Sequence, residues 1–126
     1  MLFDTDILIW VERGNAKAAR LLDGSPERAI AVQTYLELVQ GARDKRHLQV
    51  IRRFLRDHAF KIVSLSEGIG HRAAVYIEAY ALPHGMRAAD ALIAATATET
   101  GLTLCTSNSK HFKFIPDLDL KVFKPD

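Results

Sequence analysis

A single cysteine, Cys105, in 126 residues leaves no internal disulfide and no zinc site built on thiolates. It lies in Thr103-Leu104-Cys105-Thr106, where it reads as a small buried hydrophobe at a strand end rather than a catalytic thiol. No apolar stretch reaches the length that a membrane span needs. Asp4, Asp6 and Glu12 interrupt the N-terminal apolar residues where a secretion leader would need an unbroken core. Glycine and proline are sparse, at 7 and 4 residues, and no repeat, low-complexity tract or linker divides the chain. A strong charge imbalance is also missing: the net charge is +2 and the pI near 8.8, so no global polybasic character argues for nucleic acid. His47, His58, His71 and His84 show no metal-ligand spacing. These exclusions leave one soluble domain, expected in the cytoplasm and away from membranes. With 48% apolar residues it can bury one core.

Strand-like and helical patterns alternate along it. Met1 to Asp4 reads as a strand, and Thr5 or Asp6 can cap a helix carrying Ile7, Leu8, Ile9 and Trp10. Gly14-Asn15 breaks that helix, and Ala16 to Leu22 forms another before Gly24 and Pro26. Arg28 to Gln33 is a strand, after which Thr34 opens a helix to about Gly41. Arg46 to His58 is amphipathic, with Leu48, Ile51 and Leu55 on one face beside Val50 and Phe54, and Arg46, Arg52, Arg53 and Arg56 largely opposite. Lys61 to Leu65 is a strand. Ser66-Glu67 then begins a helix whose Ile69, Ala73, Tyr76, Ile77 and Tyr80 make a core or dimer stripe, and Pro83-His84-Gly85 reads as a loop. Ala88 to Thr100 is an alanine-rich helix that can pack closely on a sheet, stopped by Gly101. Thr103 to Thr106 and Leu120 to Phe123 are the last strands. This alternation predicts an α/β fold, a mainly parallel sheet with helices on both faces.

Against that background the placing of acidic residues stands out. Asp4 and Asp6 lie in Leu2-Phe3-Asp4-Thr5-Asp6-Ile7-Leu8-Ile9, Glu37 in Thr34-Tyr35-Leu36-Glu37-Leu38, and Asp90 in Arg87-Ala88-Ala89-Asp90-Ala91-Leu92-Ile93. A carboxylate in an apolar run costs free energy unless something compensates it. Brought together, such groups repel until a cation neutralises them, and oxygen ligands from distant segments suit a hard metal ion. Structural roles compete at every position. Asp4 or Asp6 could simply cap a helix. Thr34-x-x-Glu37 matches a capping box. Asp90 in a first turn suits the helix dipole and could pair with Arg87. Two acids beside Thr5 exceed what capping requires, and these positions fall at or after strand ends, or on helices facing them, where active residues of parallel sheets gather. The loop Thr106-Ser107-Asn108-Ser109 adds hydroxyl and amide groups, with His111 nearby. Between Arg43 and Lys61 the chain is locally basic, which suits a polyanion beside an acidic centre.

Taken in order, these stretches resemble the PIN-domain family, and within it the VapC-type toxin ribonucleases. Leu2 to Ile9 is similar to the family's opening Asp-Thr-Asn motif, Thr34 to Leu38 to its Glu-bearing helix start, and Asp90 to Ala97 followed by Gly101 to Asn108 to its third segment and the strand after it. The likeness spans nearly the whole chain. It departs at Asp6, where the family usually has Asn, and at Asn108 to Phe112, where a fourth acid is often found and this chain has Asn108, Lys110 and His111. The resemblance implies a PIN-like three-layer α/β/α sandwich and an endoribonuclease dependent on Mg²⁺ or Mn²⁺. It also implies a homodimer held inactive by a cognate VapB-type antitoxin, whose extended C-terminal segment blocks the site. On this reading Asp4, Glu37 and Asp90 hold one or two ions, Asp6 adjusts the ligand shell, and Asn108 with Thr106 and Ser107 positions water or a phosphate oxygen. Cleavage then leaves a 5′-phosphate and a 3′-hydroxyl. The missing fourth acid motivates an alternative, a catalytically weakened module that binds RNA or protein. A flavodoxin-like regulator is a third reading, disfavoured because Thr106-Ser107-Asn108 stands in the region where such regulators carry a lysine after a late strand.

Overall fold

A computed structural model describes residues 1–126. The chain runs β1 (Leu2–Phe3), α1 (Thr5–Glu12), α2 (Ala16–Asp23), β2 (Ala29–Ala31), α3 (Val32–Gln40), α4 (Lys45–Asp57), β3 (Lys61–Val63), α5 (Glu67–His84), α6 (Ala88–Thr100), β4 (Leu104–Thr106), a 3₁₀ turn at Ser109–His111, and β5 (Leu120–Val122). The strands form one sheet in the order β3-β2-β1-β4-β5, with every pairing parallel. The expected sheet is therefore present and wholly parallel. Its order differs from the 2-1-3-4-5 arrangement of flavodoxin-like regulators, which removes that reading.

Side chains alternate across a strand, so neighbouring residues enter different cores. Leu2, Ala29, Ala31 and Leu104 point to one face, where they meet Ile69, Ala73 and Tyr76 of α5 and Ala91, Ile93, Ala94, Ala95 and Ala97 of α6. Phe3, Ile30 and Cys105 point to the other, packed by Ile7 and Leu8 of α1, Ala18 and Leu22 of α2, Leu38 of α3 and Leu55 of α4. Two helical layers around a sheet result. Ala91, Ala94, Ala95 and Ala97 of α6 are fully buried, the close approach their size permits. Cys105 is buried too, and burial pushes its thiol up to about 11, which makes it inert. Phe3 is fully buried at the centre of the second core, so Phe3→Ala is expected to cost about 3–5 kcal/mol in urea unfolding.

The strands are shorter than the sequence expectation, with β3 ending at Val63 rather than Leu65, and two helix boundaries also differ. The helix after β2 begins at Val32 rather than Thr34, with Ala31 as N-cap and no side-chain cap. The strand yields Val32 and Gln33 to the helix, and Thr34 sits inside the first turn, fully buried. The capping box at Thr34 and Glu37 is therefore not formed. Pro83-His84 is not a loop but the last turn of α5, which ends at Gly85 in the left-handed conformation with φ 67°. Tyr76 is a core residue whose hydroxyl donates to the Asp117 carboxylate at 3.1 Å and meets Thr98 Oγ1 at 2.9 Å. No helix is long and apolar enough to cross a membrane.

Candidate active site

Parallel sheets bind ligands outside the carboxyl ends of their strands, where the chain's order across the sheet reverses. Here that point lies between β1 and β4: from β1 the chain steps to β2 and β3 on one side and returns to β4 and β5 on the other. Asp4 directly follows β1, and Thr106 ends β4. The Thr106 hydroxyl donates to Asp4 Oδ2 at 2.7 Å, while the Thr5 backbone N–H donates to Oδ1 at 2.8 Å. Asp4 thus caps α1 and also reaches across the crevice. It is 7% exposed. Burial above all, and then the Asp6 charge, raise its carboxyl to about 7 against the lowering effect of the Thr106 and Thr5 hydrogen bonds; Asp90 adds a smaller upward push.

Asp6 does not cap the helix. It lies within the first turn of α1, where its Oδ2 accepts from the Ser107 backbone N–H at 2.9 Å, from the Ser107 hydroxyl, and from Asn108 Nδ2 at 3.1 Å. Its Oδ1 is buried and has no hydrogen-bond partner. A buried carboxylate oxygen without a donor is costly, so something outside the set of protein donors is called for. The loop after β4 therefore serves the acids: Thr106 holds Asp4, Ser107 and Asn108 hold Asp6, and the Asn108 N–H donates back to Thr106 Oγ1 at 3.0 Å.

Asp90 enters from the first turn of α6, partly buried. Burial raises its carboxyl; the charges of His111 and Arg87 pull it back, and Asp6 pushes it up again. His111 Nδ1 stands 3.4 Å from Asp90 Oδ2. Arg87 makes no ion pair with Asp90, so the anticipated pairing reduces to a longer-range field. Glu37 projects from α3 and is reached through Thr5, whose hydroxyl lies 3.1 Å from Glu37 Oε1 and 3.1 Å from Thr34 Oγ1. Thr5 has one hydroxyl proton and a carboxylate only accepts, so Thr5 donates to Glu37 and accepts from Thr34. The fold thus gathers Asp4, Asp6, Asp90 and Asn108 at one crevice and joins Glu37 to them through Thr5. Neither Thr5 nor Thr34 is readable as a site residue from sequence, because their meeting depends on how α1 and α3 pack.

The PIN domain family model matches residues 1–117, and the chain belongs to that family. Within it the resemblance is to the VapC type. A chain in a toxin–antitoxin complex from Klebsiella pneumoniae is 32% identical, with 99% of this chain and 97% of that one covered and a TM-score of 0.80. VapBC-1 from nontypeable Haemophilus influenzae contains a chain 26% identical, with 96% of each chain covered and a TM-score of 0.78. FitAcB from Neisseria gonorrhoeae contains one 27% identical, with 98% and 96% covered and a TM-score of 0.72. No curated protein matches the chain. PIN domains are generally nucleases that use divalent metals.

The donors present suit such an ion. They are oxygens, as a hard cation requires, and the Asp6 charge makes both Asp4 and Asp90 harder to ionise. The partnerless Asp6 Oδ1 is an open acceptor among them. As the side chains stand, no three of His, Cys, Asp or Glu enclose a common point. Each is turned to its own neighbour, namely Thr106, Ser107, His111 or Thr5.

Proposed function

We propose that this chain is the toxin of a VapBC-type pair, an endoribonuclease dependent on Mg²⁺ or Mn²⁺. The observation that carries the reading is the electrostatic coupling of Asp4, Asp6 and Asp90 at the switch point, with Asp4 held at about 7 by burial and a neighbouring charge. Asp4, Asp6, Asp90 and Glu37 would hold the cation. When bound, a divalent ion lowers the pKa of water and offsets charge that develops on the scissile phosphate. The rest falls to the chain. Thr106, Ser107 and Asn108 fix the orientation of Asp4 and Asp6, and Thr5 fixes Glu37. Asn108, exposed beside them, can also meet a phosphate oxygen. Arg46, Arg52, Arg53 and Arg56 are exposed along α4 and would add salt-dependent attraction for the RNA backbone.

An apolar groove supports a protein partner. Leu8, Val11, Leu38, Val50, Ile51, Phe54 and Leu55 line a cleft of about 290 Å³ between α1, α3 and α4. A second cleft, which includes Thr5, Glu37, Arg13 and Arg43, shares Glu12, Leu38 and Ile51 with it. A VapB-type antitoxin with an apolar helix in the first would therefore lead its following residues past Glu37 toward the acids. Val50 is 53% exposed in this groove. Val50→Glu is expected to weaken antitoxin capture at least about tenfold in a pull-down titration while leaving cleavage intact, since burying an unpaired charge opposes docking. For the homodimer, Leu82 at the end of α5 is 98% exposed and Leu36 of α3 is 53% exposed, which supplies apolar surface for a second copy.

The test is incubation of the purified protein with structured and unstructured RNA, with and without Mg²⁺ or Mn²⁺, followed by analysis of the product ends. Metal-dependent cleavage leaving 5′-phosphate and 3′-hydroxyl is expected. RNA binding without cleavage would favour the weakened binding module, and 2′,3′-cyclic phosphate ends would refute hydrolysis by water.

A further inference from the structure

His111 occupies the stretch in which the family resemblance leads one to expect a carboxylate, and it faces Asp90 across 3.4 Å. That separation is long for a hydrogen bond, which brings nitrogen and oxygen to about 2.7–3.2 Å. It is the right separation for two ligands of one ion. Atoms each about 2.1 Å from a metal, at right-angled to tetrahedral spacing around it, lie about 3.0–3.5 Å apart. The ring sits at the end of the Ser109–His111 turn, which is tied by the His111 N–H to Asn108 O at 3.0 Å. The same loop holds Asp4 and Asp6 through Thr106, Ser107 and Asn108, so His111 is carried on the element that orders the acids. The imidazole is 46% exposed on its side-chain surface, and its Nδ1 is the atom that faces Asp90.

We propose that His111 is a nitrogen ligand, with Asp90, to the divalent ion of this site, and that it shifts the site's preference from Mg²⁺ toward first-row transition ions such as Mn²⁺. The inference rests on the metal-dependent reading above and deepens it. Mg²⁺ binds almost only oxygen, in strict octahedral geometry, whereas imidazole suits transition ions. A histidine in a carboxylate's place removes a negative charge that Mg²⁺ would use and adds a donor that Mn²⁺ binds better.

The metal-stripped protein is titrated calorimetrically with Mn²⁺ and with Mg²⁺, and the Mn²⁺-loaded protein is examined by pulsed electron paramagnetic resonance for coupling to imidazole nitrogen. The wild type is expected to prefer Mn²⁺ at least about tenfold and to show the nitrogen coupling. His111→Ala should lose the coupling and at least about tenfold in Mn²⁺ affinity, with Mg²⁺ affinity changed less than about twofold. His111→Asp should bring the two ions closer together by strengthening Mg²⁺. Mn²⁺ uptake by the wild type without nitrogen coupling, or an unchanged Mn²⁺-to-Mg²⁺ ratio in His111→Ala, would overturn the inference and leave the nuclease reading standing. No uptake of either ion by the wild type would overturn both. The spectroscopic arm uses the wild-type chain, so it holds even if a variant fails to fold.

Discussion

Asp90→Asn is expected to lower metal-dependent RNA cleavage on the order of a thousandfold while the fold persists. Removing one group that stabilises a developing charge costs about a hundred- to a thousandfold in mutated enzymes, and Asp90 is proposed both to hold the cation and to place it against the phosphate. The substitution is nearly isosteric, and Asp90 takes part in no hydrogen bond that holds α6 to the sheet. Its one close polar neighbour is His111 at 3.4 Å. Circular dichroism should therefore be unchanged. If the variant retains cleavage at a tenth of the wild-type rate or better, Asp90 is not a ligand and the site has been placed wrongly.

Asp4→Asn should abolish cleavage as well, but its more informative effect is on stability. Burial and the Asp6 charge raise the Asp4 carboxyl from 3.8 to about 7 in the folded chain. Below about pH 4 the group is protonated whether the chain is folded or not, and contributes no penalty. As pH rises from there to 7 the unfolded chain releases the proton first, so folding is increasingly opposed. Above pH 7 the folded chain carries the buried charge at full cost, on the order of 4 kcal/mol. Asparagine still caps α1 and removes that charge. Without added metal, Asp4→Asn is expected to melt on the order of 10 °C above the wild type at pH 8 and within a few degrees of it at pH 4. Saturating Mn²⁺ should erase the difference at pH 8 by stabilising the wild type alone. A variant that is less stable than the wild type at pH 8 would show that Asp4 serves the fold rather than the site.

Much of this arrangement was legible in the residues because burial and charge conflict visibly there. Asp4 and Asp90 stand in apolar runs, and the alternation of elements places Asp4 after a strand end and Asp90 in the first turn of a helix packed on the sheet. Glu37 was ambiguous: the capping box was a sound local reading, undone only because β2 passes into α3 without a break and carries Thr34 into the first turn. Thr5 as a bridge between Glu37 and Thr34 could not be read, since it depends on two helices far apart in sequence. Helical periodicity marked Val50 and Phe54 as apolar neighbours of the buried stripe of α4, yet it could not tell core from groove. Leu55 is buried, while Val50 lies open in the cleft. His111 was visible as a residue near the crevice, and only coordinates put it against Asp90. Pro83 misled for a simple reason. Near a helix end proline forfeits one hydrogen bond, too little to stop a helix whose Gly85 cap lies just beyond.

Calorimetric titration of Mn²⁺ into the metal-stripped chain, run side by side with Asp90→Asn, bears most directly on whether these acids serve one cation. Saturable uptake by the wild type that the variant loses is the expected result. An absence of uptake by the wild type, or equal uptake by both, would contradict it.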